Sequence, residues 1–564
     1  MEKQFNLIDS PWVKVVTKDL EEKEVSLRDA ILKAHEYRDL AGESEPQNIS
    51  MIRLMVTILY SVFSEKDGYG KDAPVEDMGG AVARWKELWD RGQFPQEPVA
   101  EYLDRYHDRF WLFDDEKPFY QANHRMRGTV SEASHLNGTV NQSGSKPRLF
   151  PMRTGKAQSR LTPPEAARWL VCAMNFEDMA AKPTNEKSGR TLAKGTVAWM
   201  GLLSPVYVSG TDLFRTLMLN LTLLKNGSQP WPRRKKEYGW CAVWELDKLP
   251  EEERVQVSPP ETLPGLYTLQ SRRFMLGSYV PPKKSESKGS LARELDEGFV
   301  TGYAILTGDV ISNEDRKNYS VDQMSLMFRK KTKNAESIVP MNWPGSGYLW
   351  KEFSAIAASA GEDTRPGVVK WVNTLQEFGA LDENEKLRLR ATKVEYGSNN
   401  SCYGEVHDDN LSFSAGLLAG AEDEGLRQLV INEIERCDKC AFYISQFAVH
   451  IQKALGISKA KQKEWDDYQV VIKRQFFDRV DRIIKRWFYS LDPAADNDEA
   501  VRELKSQIIR TARRMGDEIA AKAGDRALIG RTITEKGSDK KTVYCSPRAL
   551  NELQDRLSKE EKDE

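Results

Sequence analysis

The sequence predicts an α+β protein, in which a large mixed α/β N-terminal domain (residues 1–410) precedes a C-terminal antiparallel four-helix bundle (residues 411–564). Two observations support this architecture. Over roughly the first four hundred residues, short strand and helix patterns alternate with long irregular connections. Beyond about residue 414, apolar residues recur at alternating steps of three and four, which is the period of an amphipathic helix.

The N-terminal domain begins with a strand followed closely by a helix. Ser26 comes directly after an apolar strand residue and can accept hydrogen bonds from the free amides of a helix that follows. Asp29, at the third position of that helix, suits the positive end of the helix dipole. Residues 49–64 are apolar enough for a second, buried helix.

Three long segments of this domain have no clear apolar period. They are rich in Gly, Ser, Asn, Lys and Arg and cover residues 118–160, 179–195 and 393–409. A loop of such length inside a compact domain is usually functional or disordered.

The C-terminal region predicts three or four long helices. The first carries a stripe of apolar residues at Val430, Ile434, Cys437, Ala441, Ile444, Ala448, Ile451 and Leu455. The second ends before Pro493 and carries its stripe at Trp465, Tyr468, Ile472, Phe476, Val480, Ile483 and Trp487. The third carries its stripe from Val501 to Ile519. Several long helices with short connections favour an antiparallel bundle. The charged tail at the C-terminus is expected to fray.

Composition predicts a cytoplasmic protein without a strong overall attraction to nucleic acid. Lys and Arg number 83 against 85 Asp and Glu, which gives a net charge of −2. The N-terminus lacks the apolar core of a secretory signal, no apolar run is long enough to span a membrane, and six scattered cysteines predict reduced thiols. Nucleic-acid binding would therefore need local basic patches, such as residues 233–236, 283–288 and 329–333, or an assembly with other subunits.

The sequence gives little support for a catalytic or metal-binding motif, so we expect that the protein is not an enzyme and has no cofactor. His407-Asp408 resembles the metal-binding pair of an HD phosphohydrolase, but the other histidines keep no ligand spacing. Cys437 and Cys440 form one CxxC on the apolar stripe, where core packing is the simpler interpretation. The chain also lacks a phosphate-binding loop. An HD-type hydrolase centred on His407-Asp408 and a purely structural ribonucleoprotein scaffold remain the alternatives.

Several segments, in order along most of the chain, resemble the large subunit of the type I-E CRISPR Cascade complex. The most specific is residues 209–221, SGTDLFRTLMLNL, and another is residues 396–413, YGSNNSCYGEVHDDNLSF. Shorter matches lie at residues 6–13, at residues 118–121 and at residues 265–273.

The resemblance implies a non-catalytic subunit of a CRISPR-guided surveillance complex. Such a subunit binds guide RNA and other Cascade subunits, and it recognises the short motif (PAM) beside the target in double-stranded DNA. It then wedges the duplex open to start the R-loop and helps to recruit a helicase-nuclease. Sequence specificity beyond the PAM belongs to guide pairing.

The resemblance also assigns roles to two short segments. Val140, Asn141 and Gln142, the handle segment, match the loop that touches the 5′ handle of the guide. Asn399, Asn400 and Ser401, the wedge segment, match the residues that part base pairs beside the PAM. Asn400 stands where relatives have glutamine, so its side chain is one methylene shorter.

A third segment, residues 180–189, matches the loop that approaches the minor groove and is called the groove segment here. Relatives have a glycine-rich loop, and only Lys187, Ser188 and Gly189 keep that pattern. Lys182, Thr184 and Asn185 would instead contact DNA through their side chains, so the accepted PAM can differ from that of relatives.

Overall fold

The protein is described by a computed structural model that covers residues 3–562, with gaps at residues 123–127, 139–152, 180–195, 248–255, 284–288, 312–320, 332–335, 341–346, 358–363, 398–402, 419–423, 458–461 and 535–540. The chain forms two compact units. The first contains Met1–Gly345, Ala358–Asp382 and Leu387–Asn410, and the second contains Ser346–Ala357, Glu383–Lys386 and Leu411–Glu564. Helices and strands mix along the chain, which confirms the predicted α+β class.

The helices of the described residues are α1 (Leu27–Leu32), α2 (Glu45–Phe63), α3 (Met78–Arg91), α4 (Gln96–Arg105), α5 (Ala133–Leu136), α6 (Pro163–Phe176), α7 (Leu213–Asn220), α8 (Leu263–Tyr267), α9 (Phe353–Ile356), α10 (Gly367–Glu377), α11 (Glu424–Ala454), α12 (Gln462–Ser490), α13 (Asp498–Ile529) and α14 (Ser546–Lys562). Within them, no helix is both long and apolar enough to cross a membrane.

The strands of the same residues are β1 (Gln4–Asn6), β2 (Val13–Thr17), β3 (Glu22–Val25), β4 (Tyr37–Leu40), β5 (Trp111–Phe113), β6 (Thr129–Glu132), β7 (Val206–Ser209), β8 (Leu224–Lys225), β9 (Gln229–Pro230), β10 (Gln256–Val257), β11 (Arg272–Val280), β12 (Ser290–Ala292), β13 (Gly302–Thr307), β14 (Val310–Ile311), β15 (Met327–Lys331), β16 (Glu336–Pro340), β17 (Lys386–Tyr396), β18 (Tyr403–Ser414), β19 (Arg531–Thr534) and β20 (Lys541–Tyr544).

The described part of the first unit contains three sheets of three or four strands. Their strand orders are β3-β2-β4, β12-β11-β13-β6 and β18-β17-β7. The central strand β11 pairs antiparallel with β13 along six residues, and β17 pairs antiparallel with β7 from Arg388↔Ser209 to Ala391↔Val206. These two sheets carry the residues that matter for the candidate site.

The local sequence explains where the helices of the first unit begin. The Ser26 side chain accepts a hydrogen bond from the Asp29 amide at 3.1 Å, as predicted. Helix α2 is buried along all of its length except Glu45, because most of its residues are apolar and Arg53 is paired with Asp322. This confirms the buried helix expected at residues 49–64. Helix α6 begins with Pro163 after a capping box between Thr162 and Glu165.

The segment 118–160 is not uniformly irregular. Residues 129–132 form strand β6, which pairs antiparallel with β13, and Ala133–Leu136 form helix α5. The expectation of a continuous loop was wrong here, because a four-residue edge strand is too short to show an apolar alternation.

The second unit is built on four long helices that contact one another. Helix α11 packs against α12, α13 and α14. Most residues of its predicted stripe are buried, and Cys437 and Cys440 are both fully buried. Burial raises the pKa of both thiols, that of Cys440 to about 12. Two buried, protonated thiols agree with core packing.

The C-terminal tail is ordered, contrary to expectation. Helix α14 continues to Lys562, and Glu560 is buried. Its Oε1 accepts a hydrogen bond from the Tyr443 hydroxyl at 2.9 Å. Because this carboxylate has partners on helix α11, the tail packs as a helix as far as Lys562.

Candidate nucleic-acid interface

The residues that the resemblance assigns to nucleic-acid binding lie outside the described part of the chain. They are Val140, Asn141 and Gln142 of the handle segment, Lys182, Thr184, Asn185, Lys187, Ser188 and Gly189 of the groove segment, and Asn399, Asn400 and Ser401 of the wedge segment. The chain on both sides of each gap is described, up to Gly138, Met179 and Gly397 and again from Arg153, Thr196 and Tyr403.

A single arginine joins the two ends of the stretch that contains the groove segment. Arg272, at the start of β11, is only 1% exposed. Its Nη2 lies 3.1 Å from the Glu177 carbonyl oxygen, 2.7 Å from that of Asp178 and 2.7 Å from that of Thr196. Glu177 and Asp178 precede the stretch and Thr196 follows it, so one guanidinium group fixes both ends.

The wedge segment connects two neighbouring strands. Strand β17 ends at Tyr396, and β18, its neighbour in the sheet, begins at Tyr403. Because parallel strands need a crossover of a dozen or more residues, so short a connection makes this pair an antiparallel hairpin. The described ends of this pair, Tyr396 and Tyr403, therefore stand on either side of the wedge segment in the sequence.

The described residues just before the groove segment and just before the wedge segment contact each other. The Tyr396 hydroxyl donates a hydrogen bond of 2.6 Å to the carbonyl oxygen of Phe176, the last residue of α6. Gly201 lies against the same hydroxyl, and a Cβ at that position would collide with it. The structure thus brings together the ends of two segments that are about 200 residues apart in sequence.

The stretch that contains the handle segment returns at the opposite end of α6. Arg153 follows this stretch and forms an ion pair with Glu165 in the first turn of α6. Asn137 precedes it, and its side-chain amide donates to the Gln158 carbonyl oxygen at 3.2 Å. Fourteen residues of α-helix measure about 20 Å, so the contact of Arg153 with the first turn of α6 lies about that far from the contact of Tyr396 with its last residue.

Partly buried charges hold strand β17, which precedes the wedge segment. Arg390 on β17 forms ion pairs with Asp39 at 2.6 Å and with Glu45 at 2.7 Å. Glu45 also accepts a hydrogen bond from the Tyr207 hydroxyl at 2.6 Å. Burial raises the pKa of Asp39, although Arg390 opposes this. These contacts attach β17 to β4, α2 and β7.

Lys393 lies on the same strand, three residues before Tyr396. Its Nζ donates to the Leu203 carbonyl oxygen at 3.0 Å. Burial lowers the pKa of this lysine to about 8. Its charge is therefore held in a poorly hydrated place close to the end of the hairpin.

The pair His407-Asp408 does not have the geometry of a metal site. Both residues lie on strand β18, where consecutive side chains point to opposite faces of the sheet. His407 Nε2 lies 3.6 Å from a Glu395 carboxylate oxygen and 3.7 Å from that of Glu405. Among the residues that the structure describes, no group of three or more His, Cys, Asp or Glu side chains is arranged to hold a metal ion.

One basic cluster is only partly available to solvent. Arg234 forms an ion pair with Glu245 at 3.0 Å, and Lys236 forms one with Asp247 at 2.6 Å. Lys235 lies 4.2 Å from the centre of the Trp240 ring. Some of the charged groups of residues 233–236 are thus paired within the fold, so this segment is not a uniformly solvated loop.

Arg272 and Tyr396 were not predicted as functional residues. Both fall within segments that carry the resemblance, residues 265–273 and residues 396–413. Arg272 lies 95 positions from Glu177 in the sequence, and Tyr396 lies 220 positions from Phe176. No local pattern in the sequence indicates contacts over such separations.

Comparison with known proteins identifies the family. The family model described as CRISPR-associated protein Cse1 matches residues 6–515. The CRISPR-associated protein CasA/Cse1 of Thermus thermophilus is 34% identical over 219 residues. That alignment covers 39% of this chain and 39% of the Thermus protein, so the chain spans about two fifths of this curated relative.

Solved structures share the fold over the whole chain. Cse1 from Thermobifida fusca has a TM-score of 0.77 at 24% identity, over 99% of this chain and 98% of its own. Cse1 from Acidimicrobium ferrooxidans has a TM-score of 0.72 at 21% identity, over 100% and 98%. A chain of a CRISPR RNA-guided surveillance complex has a TM-score of 0.63 at 15% identity, over 99% of both chains. Since the family model covers most of the sequence, the resemblance to the large subunit of type I-E Cascade is confirmed, and the chain belongs to the CRISPR-associated Cse1 (CasA) family.

Proposed function

We propose that this large Cascade subunit recognises the PAM in double-stranded DNA, wedges the duplex open to start the R-loop and helps to recruit a helicase-nuclease. It does so in the cytoplasm, bound to guide RNA and other Cascade subunits, without a catalytic centre or a cofactor. The observation that carries the proposal is the hydrogen bond between Tyr396 and Phe176. It brings the ends of the groove and wedge segments together, as recognition followed at once by strand opening requires.

The chemistry of the two segments suits these two steps. Minor-groove edges mainly distinguish A·T from G·C pairs, through the amino group of guanine. Thr184 and Asn185 offer a hydroxyl and an amide that can detect this difference, while Lys182 and Lys187 can bind phosphates. Unstacking a base step costs on the order of a few kcal/mol, which contacts to the opened strands must offset. Asn400, just after the hairpin strand, can supply such contacts.

The test is Asn400→Ala in the assembled complex. We expect the variant to slow R-loop formation more than it weakens initial duplex binding, because the side chain acts once the duplex begins to open. Negative supercoiling should restore part of the rate, since it lowers the cost of opening. Asn410→Ala, at an exposed position of β18 outside the wedge segment, serves as the matched control for a general disturbance of this strand.

A target already unpaired beside the PAM decides the outcome. If Asn400→Ala loses as much activity on this target as on the duplex, the residue does not act in strand opening. If the complex binds DNA equally well with both segments altered, the chain is a scaffold for the ribonucleoprotein. Metal analysis of the purified protein tests the HD-hydrolase alternative, which requires a bound metal ion.

A further inference from the structure

We infer that a cavity between helices α11 and α14 binds a carboxylate group, carried by a small organic acid or by an acidic residue of a partner protein. The cavity has a volume of about 110 Å³ and lies within the second unit. All of the residues that line it are described. None of them belongs to the handle, groove or wedge segment, so this inference goes beyond the proposed function and does not depend on it.

One face of each helix forms a polar wall of the cavity. On α11, Tyr443, Gln446 and His450 follow one another at steps of three and four residues, so they share a face. On α14, Glu552 and Arg556 are four residues apart and share a face in the same way. The cavity thus has charged and hydrogen-bonding groups on two sides.

Two buried apolar side chains, Phe447 and Leu553, also line the cavity. Leu553 is held from behind by α13, because a Cβ on Gly516 would lie only 2.6 Å from its Cδ2 atom. An apolar cavity of about 150 Å³ accommodates benzene, so 110 Å³ suits a ligand of about four to six non-hydrogen atoms. A short acid has this size, and its hydrocarbon part can contact the two apolar side chains.

Arg556 supplies a cation without a carboxylate partner. Its guanidinium carbon lies 5.4 Å from the centre of the Tyr443 ring, and no Asp or Glu among the described residues forms an ion pair with it. The Tyr443 hydroxyl donates to Glu560 at 2.9 Å, which fixes the ring that Arg556 contacts. The planar fork of an arginine matches the two oxygens of a carboxylate. Arg556 is therefore available to bind an anion in the cavity.

Glu552, the acidic side chain in the wall, is already paired with a cation outside it. Its carboxylate accepts a hydrogen bond from Arg548 Nε at 3.0 Å. A partly exposed pair of this kind contributes little to stability, but Arg548 offsets the negative charge that would repel a bound carboxylate. Arg548 and Arg556 together place two cations against one anion at the cavity.

His450 adds a second polar group without a partner. Its Nε2 is buried and forms no hydrogen bond, and its ring packs edge-on against Tyr544 with 4.7 Å between the ring centres. Burial lowers the pKa of His450; Glu552 opposes this effect, whereas Arg548 and Lys453 add to it. A carboxylate in the cavity favours the protonated ring, so the pKa of His450 reports whether the cavity is occupied.

The test is a pH titration of the histidine ring signals of the full chain by NMR, with and without propionate. The chain has six histidines, and the signal that is lost in His450→Gln is that of His450. Sodium propionate replaces sodium chloride at constant ionic strength. We expect saturable binding with a dissociation constant of roughly millimolar order, as suits five non-hydrogen atoms. The pKa of His450 alone should rise by about one pH unit.

Arg556→Gln removes the cation and keeps an amide. We expect it to weaken propionate binding roughly tenfold or more, the effect of losing a hydrogen bond to a charged group. Lys559→Gln is the matched control, because Lys559 is exposed on the same helix and does not line the cavity. Arg556 is exposed as well, so thermal unfolding should be the same for both variants and the wild type.

A second probe identifies the source of the carboxylate. Propionate has the structure of a glutamate side chain, and N-acetylglutamate N-methylamide carries the same group on a peptide backbone. Tighter binding of the peptide analogue assigns the site to an acidic residue of a partner protein. Weaker binding of the analogue assigns it to a free acid, because the peptide groups then do not fit at the mouth of the cavity.

Three results would overturn the inference. The first is a pKa of His450 that propionate leaves unchanged. The second is an equal effect of propionamide, which has no charge, or of inorganic phosphate, which is not a carboxylate. The third is equal propionate binding by Arg556→Gln and Lys559→Gln. None of these measurements uses DNA, so they leave the test of the proposed function by Asn400→Ala unaffected.

Discussion

At the scale of single residues, Lys393 gives a pH-dependent prediction. Burial lowers its pKa to about 8 from an ordinary value of 10.5. Between these two values the unfolded chain binds more protons than the folded chain, so this group makes the folded state more stable as pH rises from about 8 to about 10.5. Below pH 8 its full desolvation cost is present. Lys393→Met should therefore raise the free energy of unfolding at pH 7, and the gain should shrink towards pH 10.

Denaturant unfolding at several pH values measures the free energy of unfolding of the variant and of the wild type. Other groups titrate in the same range, so the quantity of interest is the difference between variant and wild type at each pH. Lys18→Met provides the control, because Lys18 is exposed. A difference for Lys393→Met that stays constant from pH 7 to pH 10 would contradict the assignment of the shift to Lys393.

The sequence predicted local contacts of residues better than distant ones. The cap of Ser26 on the Asp29 amide was predictable, because both groups lie within one turn. The assembly of Arg272 with Glu177 and Thr196 was not, because it depends on how β11 packs against the end of α6. The roles of the handle, groove and wedge segments followed only from the resemblance, and they stay predictions.

At the scale of elements, the start of α6 is open to a direct test. The Thr162 side chain caps the Glu165 amide, and the Glu165 carboxylate accepts from the Thr162 amide at 3.0 Å. Thr162→Ala should lower the free energy of unfolding by about 1 kcal/mol, the usual cost of losing a cap. Denaturant unfolding of the free chain provides the measurement.

Thr162→Ser is the matched variant, because serine keeps the hydroxyl that accepts the hydrogen bond. It should retain nearly all of the stability. Equal losses in both variants would show that packing of the threonine methyl group matters and that the cap does not.

Long elements were predicted well and short ones poorly. The stripe of α11 appears in the structure almost as predicted, because thirty-one residues repeat one period many times. On α12 the buried residues include Ile484, whereas Ile483 was expected to be buried, and its first turns remain largely exposed. The paired strands β19 and β20 were missed, since four residues rich in Thr and charged side chains carry no clear alternation.

At the scale of the whole molecule, the slightly negative net charge makes DNA binding depend on individual contacts to phosphates. The chain carries a net charge of −2, so its own attraction to DNA must come from a few local cations. Lys182→Ala should weaken binding of the complex to all PAM sequences about equally and reduce the salt slope by about one phosphate contact. Asn185→Ala should instead change the ranking of PAM sequences, because its amide can read base edges.

A randomised PAM library at two salt concentrations distinguishes the two effects. Lys18→Ala, far from the groove segment in sequence, controls for the loss of one positive charge. If Asn185→Ala leaves the ranking unchanged, the groove segment does not read the PAM. If Lys18→Ala reduces the salt slope as much as Lys182→Ala, the effect of Lys182 is one of overall charge.

Helix α6 has a consequence for the geometry of the assembled complex. Its N-terminal end adjoins the chain that returns from the handle segment, and its C-terminal end holds the base of the groove and wedge segments. A straight helix resists compression, so α6 acts as a rigid spacer of about 20 Å between its two ends. The helix sets how far the contact at Arg153 lies from the contact at Tyr396. Four added residues would lengthen it by about 6 Å and nearly preserve its rotational phase, whereas two would turn one end roughly 200° away from the other.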